Sequence, residues 1–209
     1  MSHTVLVLHP EQPPVNRRAV LRYMGCRAPS DEINARLDEC LKIAAEAFDF
    51  RLCYTTLPLE VTAAASGASV RLGTAVLPGR SLARHLDGCN TAVLMAATVG
   101  LSIDRLIARY GRLAPATGLC LQALGTERIE ALCDDFCDGL AAELSAEGLT
   151  LTSRFSPGYG DLPLSIQPVI FDLLDCPRRI GLTLTDGGLM SPSKSVTAVV
   201  GIRRKDETP

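Results

Sequence analysis

The chain lacks the marks of several common protein classes. Its longest apolar run, residues 91–101, is interrupted by threonines and falls well short of the roughly 20 residues that a membrane-spanning helix needs. The early Val5-Leu6-Val7-Leu8 segment stops at His9-Pro10 and does not make a signal peptide. With 21 Lys and Arg against 23 Asp and Glu the net charge is −2, which leaves no basic excess to hold nucleic acid or an anionic membrane surface. Phosphate-binding signatures are missing too. Thr98-Val99-Gly100 lacks the further glycines of a dinucleotide fingerprint, and no Gly-Lys-Ser/Thr occurs. A cytoplasmic protein is expected, with small molecules and other proteins as partners and with no nucleic acid and no membrane.

The eight cysteines, at 26, 40, 53, 89, 120, 133, 137 and 176, contain no Cys-x-x-Cys pair. Cys133 and Cys137 stand one helical turn apart, but two ligands are half a zinc site, and His3, His9 and His85 complete no recognisable pattern with them. No metal is expected. In a reducing compartment isolated cysteines serve as small buried hydrophobes, and that is the role expected here.

What is present is an irregular mixture of helix and strand. At 209 residues one domain is expected over 1–209, with residues 1–50 a mainly helical N-terminal part. A short strand at 4–8 precedes a helix at 15–24, whose Arg17, Arg18 and Arg22 make a basic, solvated face. Ser30, followed by Asp31 and Glu32, is a good helix start, and Ile33, Leu37, Cys40, Leu41, Ala44 and Phe48 recur at helical spacing after it. Residues 51–61 and 69–77 read as short strands broken by Pro58, Gly67, Gly73 and Pro78, and 81–86 as a brief helix. Residues 91–98, apolar without a period, suit a strand buried on both faces. Ser102 is expected to cap a helix that ends at Gly111, and a long helix is expected over 115–147 with Ile129, Leu132, Phe136, Leu140 and Leu144 inward. Glu130 and Asp134 lie one turn apart beside that stripe, where like charges repel and call for compensation. A strand at 149–153, a helix capped by Ser165, and strands at 182–185 and 195–202 with a Pro192-Ser193-Lys194 turn between them complete the pattern. Without a regular βαβ rhythm, the class is α+β, a curved and mostly antiparallel sheet with helices packed on it.

The densest local chemistry lies in Arg154-Phe155-Ser156-Pro157-Gly158-Tyr159-Gly160-Asp161. Pro157 fixes its own φ and biases Ser156 towards extended backbone, while Gly158 and Gly160 permit positive φ. A guanidinium on such a loop can grip a carboxylate through two parallel hydrogen bonds, and a phenol beside a glycine can reach over a ligand.

These residues resemble the activation domain of cobalamin-dependent methionine synthase, which carries an Arg-x-x-x-Gly-Tyr signature in its S-adenosylmethionine site. The resemblance extends over Leu182-Thr183-Leu184-Thr185-Asp186 and Ser195-Val196-Thr197-Ala198, is strongest across 115–202, and is closer still to the free-standing activation proteins of bacteria, which share the Leu21-Arg22-Tyr23 and Thr98-Val99-Gly100 segments. It implies an S-adenosylmethionine site in which Arg154 takes the carboxylate, Glu130 of Ile129-Glu130-Ala131 takes the ammonium or lies near the sulfonium, and the Ser156 and Gly158 main chain reads the adenine edge. Tyr159 is then the catalytic candidate at the junction with the cobalamin. Glu127 is the competing position if the helical register shifts by a turn.

The implied function is an activation subunit supporting reductive methylation of cob(II)alamin in a methionine synthase. The chain shows no flavin or haem motif and no cobalamin-binding Asp-x-His-x-x-Gly motif. Cobalamin would be carried by the methionine synthase partner, and the electron would come from an external donor such as a flavodoxin or ferredoxin. The alternative is a non-catalytic S-adenosylmethionine sensor or an assembly module for another corrinoid protein. An independent methyltransferase is disfavoured, because no glycine-rich turn follows the first strand.

Overall fold

A computed structural model of the chain describes residues 3–64 and 67–205. The elements run in the order β1 (Leu6–Leu8), α1 (Arg17–Tyr23), α2 (Asp31–Ile43), β2 (Arg51–Ala64), β3 (Gly67–Leu72), β4 (Ala75–Pro78), α3 (Arg80–His85), β5 (Thr91–Thr98), α4 (Ser102–Leu113), α5 (Pro115–Ser145), β6 (Leu149–Leu151), α6 (Gln167–Leu174), α7 (Cys176–Ile180), β7 (Thr183–Leu184), β8 (Met190–Ser191) and β9 (Ser195–Arg204). A 3-10 turn, Leu164–Ile166, leads into α6. The main sheet has the order β4-β3-β2-β5-β9-β6, with β1 also paired to β2, and every pairing is antiparallel. The class is α+β, as expected.

β5 explains the layering. It pairs with β2 on one side, from Arg51↔Thr98 to Pro58↔Thr91, and with β9 on the other, from Thr91↔Ile202 to Thr98↔Ser195. Ala92, Leu94 and Ala96 enter one apolar cluster with residues of α3, α6 and α7, whereas Val93, Met95 and Ala97 enter a second with residues of α1, α2, α4 and α5. A strand buried on both faces must be apolar throughout, and this is the physical reason for its lack of alternation. Six of the eight cysteines are buried, as small apolar fill is expected to be.

Some expected boundaries move. Pro58 does not break a strand, because β2 is one 14-residue strand that passes from β5 to β3 at this point. A residue without an N–H is tolerated where a strand changes neighbours, and the Leu59 N–H donates to Asn90 O at 2.9 Å while Pro58 O accepts from Gly73 N at 3.1 Å. Gly111 does not end α4. It is a contact point, since a Cβ on Gly118 of α5 would lie 2.7 Å from the Gly111 nitrogen, so the two helix backbones touch there. Ser30 caps α2 as expected, with its Oγ accepting from Ile33 N, but neither Ser102 nor Ser165 caps a helix. Among the described residues, β7 and β8 form a two-stranded sheet apart from the main one.

The segment before α1 is held by an acid–base pair on α5. Arg128 and Glu127 are both nearly inaccessible, at 1% and 2% exposure, and bond through Arg128 Nε to Glu127 Oε2 at 2.6 Å and Arg128 Nη2 to Glu127 Oε1 at 2.7 Å. Arg128 also donates to the carbonyls of Pro13 and Pro14, and Glu127 Oε1 accepts from Asn16 N at 2.8 Å. Glu127→Ala strands the buried guanidinium and is expected to destabilise the fold by about 3–5 kcal/mol. Urea unfolding at an unchanged m-value measures it.

Candidate functional site

The chain leaves α5 through Gly148 and returns along the edge of the sheet. β6 pairs with β9 up to Leu151↔Ile202, Thr152 N–H donates to Gly201 O at 2.9 Å, and Phe155 exchanges two 2.9 Å bonds with Val199. Extended backbone sends successive side chains to opposite faces. Arg154 therefore turns to α5, and Phe155 packs on the opposite apolar cluster, against the His85 ring at 5.1 Å and the Tyr159 ring at 6.2 Å.

Beyond Phe155 the loop is tied down along its length. Tyr159 N–H donates to Ser156 O at 3.1 Å, Leu162 N–H to Tyr159 O at 3.1 Å, and Gly158 N–H to Leu162 O at 2.8 Å. Gly160, at φ +54°, lies so close to α3 that a Cβ would come 2.6 Å from Ser81 Cβ. Asp161 then caps α3 from outside, accepting from Arg80 N at 2.7 Å and Ser81 N at 3.0 Å. These amides, first that of Ser81 and then that of Arg80, hold the Asp161 carboxyl below its ordinary range. The His85 ring fixes the start of the same segment through Ser153 O at 2.7 Å.

Arg154 meets two carboxylates with one nitrogen, Nη2 lying 2.7 Å from Glu130 Oε2 and 2.8 Å from Asp134 Oδ1. This is the compensation that two acids one turn apart require. Beneath the guanidinium lies Cys133, whose thiol burial pushes up to about 12, and burial also raises Cys137. Burial thus favours the neutral thiol at both positions.

Between α5 and the returning segment lies a cleft of about 530 Å³, inside the roughly 300–1,000 Å³ range of small-molecule sites. Glu130, Arg154, Ser156 and Tyr159 all line it, so four of the expected site residues, drawn from positions up to 29 apart, come to one place. Gly158 does not line it, and its N–H is committed to Leu162. Tyr159 stands at the rim, 61% exposed. Glu127, the competing position, is buried in the strap on Asn16 and Arg128, away from the cleft. Sequence reasoning missed the direct bond from Arg154 to Asp134 and the place of Asp138 on the same wall. Their signal was the i, i+4, i+8 spacing of Glu130, Asp134 and Asp138.

The fold has a solved counterpart. A crystal structure of the MetH reactivation domain bound to AdoHcy superposes with a TM-score of 0.66 at 15% sequence identity, covering 99% of this chain and 81% of that one. The chain has the reactivation-domain fold. No protein-family model matches the sequence, and no curated protein does. The reactivation-domain fold is therefore carried here by a sequence that shares little with that counterpart beyond its architecture.

A carboxyl whose folded pKa is depressed stabilises above its unfolded value and loses that contribution as pH falls through the folded one. The Asp161 anchor is accordingly present at neutral pH and is lost only as pH falls below the ordinary aspartate range, through the depressed folded value. Asp161→Ala should remove it at every pH. Hydrogen exchange at the Arg80 and Ser81 amides is expected to be slow in the unaltered protein at pH 7 and fast in the variant.

Proposed function

We propose that the cleft binds S-adenosylmethionine and that the chain serves as an activation subunit for the reductive methylation of cob(II)alamin in a cobalamin-dependent methionine synthase. The observation that carries this reading is the pairing of Arg154 with Glu130 in a cleft of about 530 Å³, on a fold whose solved counterpart holds AdoHcy. The residues fit the ligand. Arg154 offers a fork to the carboxylate, Glu130 an anion to the ammonium, and Ser156 polar groups to the adenine edge. Gly158 contributes its positive φ of 95°, which shapes the turn.

The work of this chain is binding and alignment. Arg154 and Glu130 hold the amino-acid end, so that the sulfonium methyl points to the open rim where Tyr159 stands. Methyl transfer requires carbon and acceptor to be close and in line, and a fixed donor supplies that geometry. Cobalamin, brought by the partner and reduced by one electron from an external protein such as a flavodoxin or ferredoxin, supplies the nucleophile. In the transfer the S–CH3 bond would break with its electron pair remaining on sulfur while the methyl bonds to the electron pair of the reduced acceptor, leaving S-adenosylhomocysteine on this chain.

Titration calorimetry with S-adenosylmethionine tests the reading, with S-adenosylhomocysteine as competitor. Folded protein that gives no heat and no competition would falsify it. A methionine synthase lacking its own activation domain, in the cob(II)alamin form and with an electron donor, then reports methylcobalamin by absorbance. Donor binding without methylcobalamin formation would favour a sensor or assembly module.

Arg154→Ala is expected to weaken donor binding by about 1.5–3 kcal/mol, roughly 10- to 150-fold, with the fold intact. Arg154→Lys should restore only part, because an ammonium keeps the charge but loses the fork. For Tyr159→Phe, donor affinity should stay within about twofold while methylcobalamin formation slows, since the side chain is exposed at the rim and makes no contact with Arg154 or Glu130 in this reading. Equal losses in both measurements would move Tyr159 into the donor pocket.

A further inference from the structure

Arg154 holds two carboxylates, and they are not equivalent. The side chain of Glu130 is 39% exposed and that of Asp134 is 66% exposed, against 21% for Arg154. Both bonds fall on Nη2, so neither carboxylate uses the two-pronged geometry that a guanidinium offers. An exposed ion pair contributes little, because water solvates both partners well and salt screens them. Releasing Glu130 would leave a more enclosed charge facing the guanidinium without a bond to it. Releasing Asp134 returns its carboxylate to water at small cost and keeps Arg154 anchored on Glu130.

We propose that Asp134 is a displaceable stand-in for the ligand's carboxylate. It neutralises Arg154 until a ligand arrives and then yields its place, so that it sets a threshold for binding and is not itself a binding group. The inference rests on the reading of the cleft as an S-adenosylmethionine site and names how that site opens. Asp138 supplies the internal control, since it lines the same wall one turn further along and makes no bond to Arg154.

The test is titration calorimetry on the full chain with S-adenosylhomocysteine, which has the carboxylate and ammonium but no sulfonium charge, at low and at high salt. Asp134→Asn is expected to tighten binding about two- to five-fold by removing the competitor. Asp138→Asn deletes the same charge from the same wall and should leave affinity unchanged or lower it. High salt should narrow the gap between the two variants, because it already weakens the exposed pair in the unaltered protein. A merely structural role for Asp134 would not move this difference. If Asp134→Asn binds no tighter than the unaltered protein, or falls together with Asp138→Asn, then Asp134 contacts the ligand or acts only through its field, and the proposal is overturned while the site stands. Failure of the unaltered protein and both variants to bind, with unfolding curves normal, overturns the site and the proposal together.

Discussion

Burial of β5 on both faces is the constraint on which the rest depends. A strand of eight residues with seven of them buried cannot sit in a sheet that turns one side to water. Helices must cover both faces, and the chain provides α3, α6 and α7 for one and α1, α2, α4 and α5 for the other. The long helix α5 crosses the second face, which sets its acidic edge beside the strands at the end of the sheet. β9 pairs with β5, β6 pairs with β9, and the segment beyond β6 inherits its course from that ladder. The position of Arg154 opposite Glu130 follows from this order. The cleft is thus a consequence of packing at the sheet edge, and the loop adds stiffness to a place already fixed.

That stiffness has several independent sources. Phe155 is pinned to Val199 by backbone bonds, Ser153 to His85 by a ring nitrogen, and Asp161 to the start of α3 by its carboxylate. The anchors bracket Ser156 to Gly160 on both sides. A binding group gains when its freedom is lost before the ligand arrives, because the ordering cost is then not charged against affinity. Tyr159 is the exception within the loop, since its backbone is tied while its ring is 61% exposed. An aromatic side chain so placed is suited to meeting something larger than the cleft can hold.

Much of the fold was legible from the chain itself, and the reasons differ from element to element. β5 was legible because an unbroken apolar run of strand length has few alternatives, and α2 because its Ser30 cap and its stripe of apolar residues agree. Pro58 and Gly111 were misread for a common reason. Local propensity treats proline and glycine as interruptions, whereas here one marks an exchange of strand partners and the other a point where α4 and α5 touch backbone to backbone. Such roles are set by a neighbour distant in sequence and leave no local trace. The Glu127–Arg128 strap was hidden likewise, since adjacent opposite charges on a helix read as surface, and only the tertiary structure puts Pro13, Pro14 and Asn16 against them.

The cleft was legible in a different way. The Arg154 to Tyr159 stretch stood out for its own chemistry, but Glu130 and Asp134 stood out for an unfavourable one, two like charges a turn apart with nothing nearby in sequence to offset them. A local conflict of this kind points to something outside the local frame that resolves it, and functional sites are where natural sequences carry such conflicts. The guanidinium that resolves it comes from 20 residues beyond Asp134 and is itself the group best suited to a carboxylate ligand. The repulsion on α5 is therefore more than a defect repaired. The one-turn spacing that sets the two acids against each other also puts both in reach of one arginine, the more enclosed Glu130 and the more exposed Asp134.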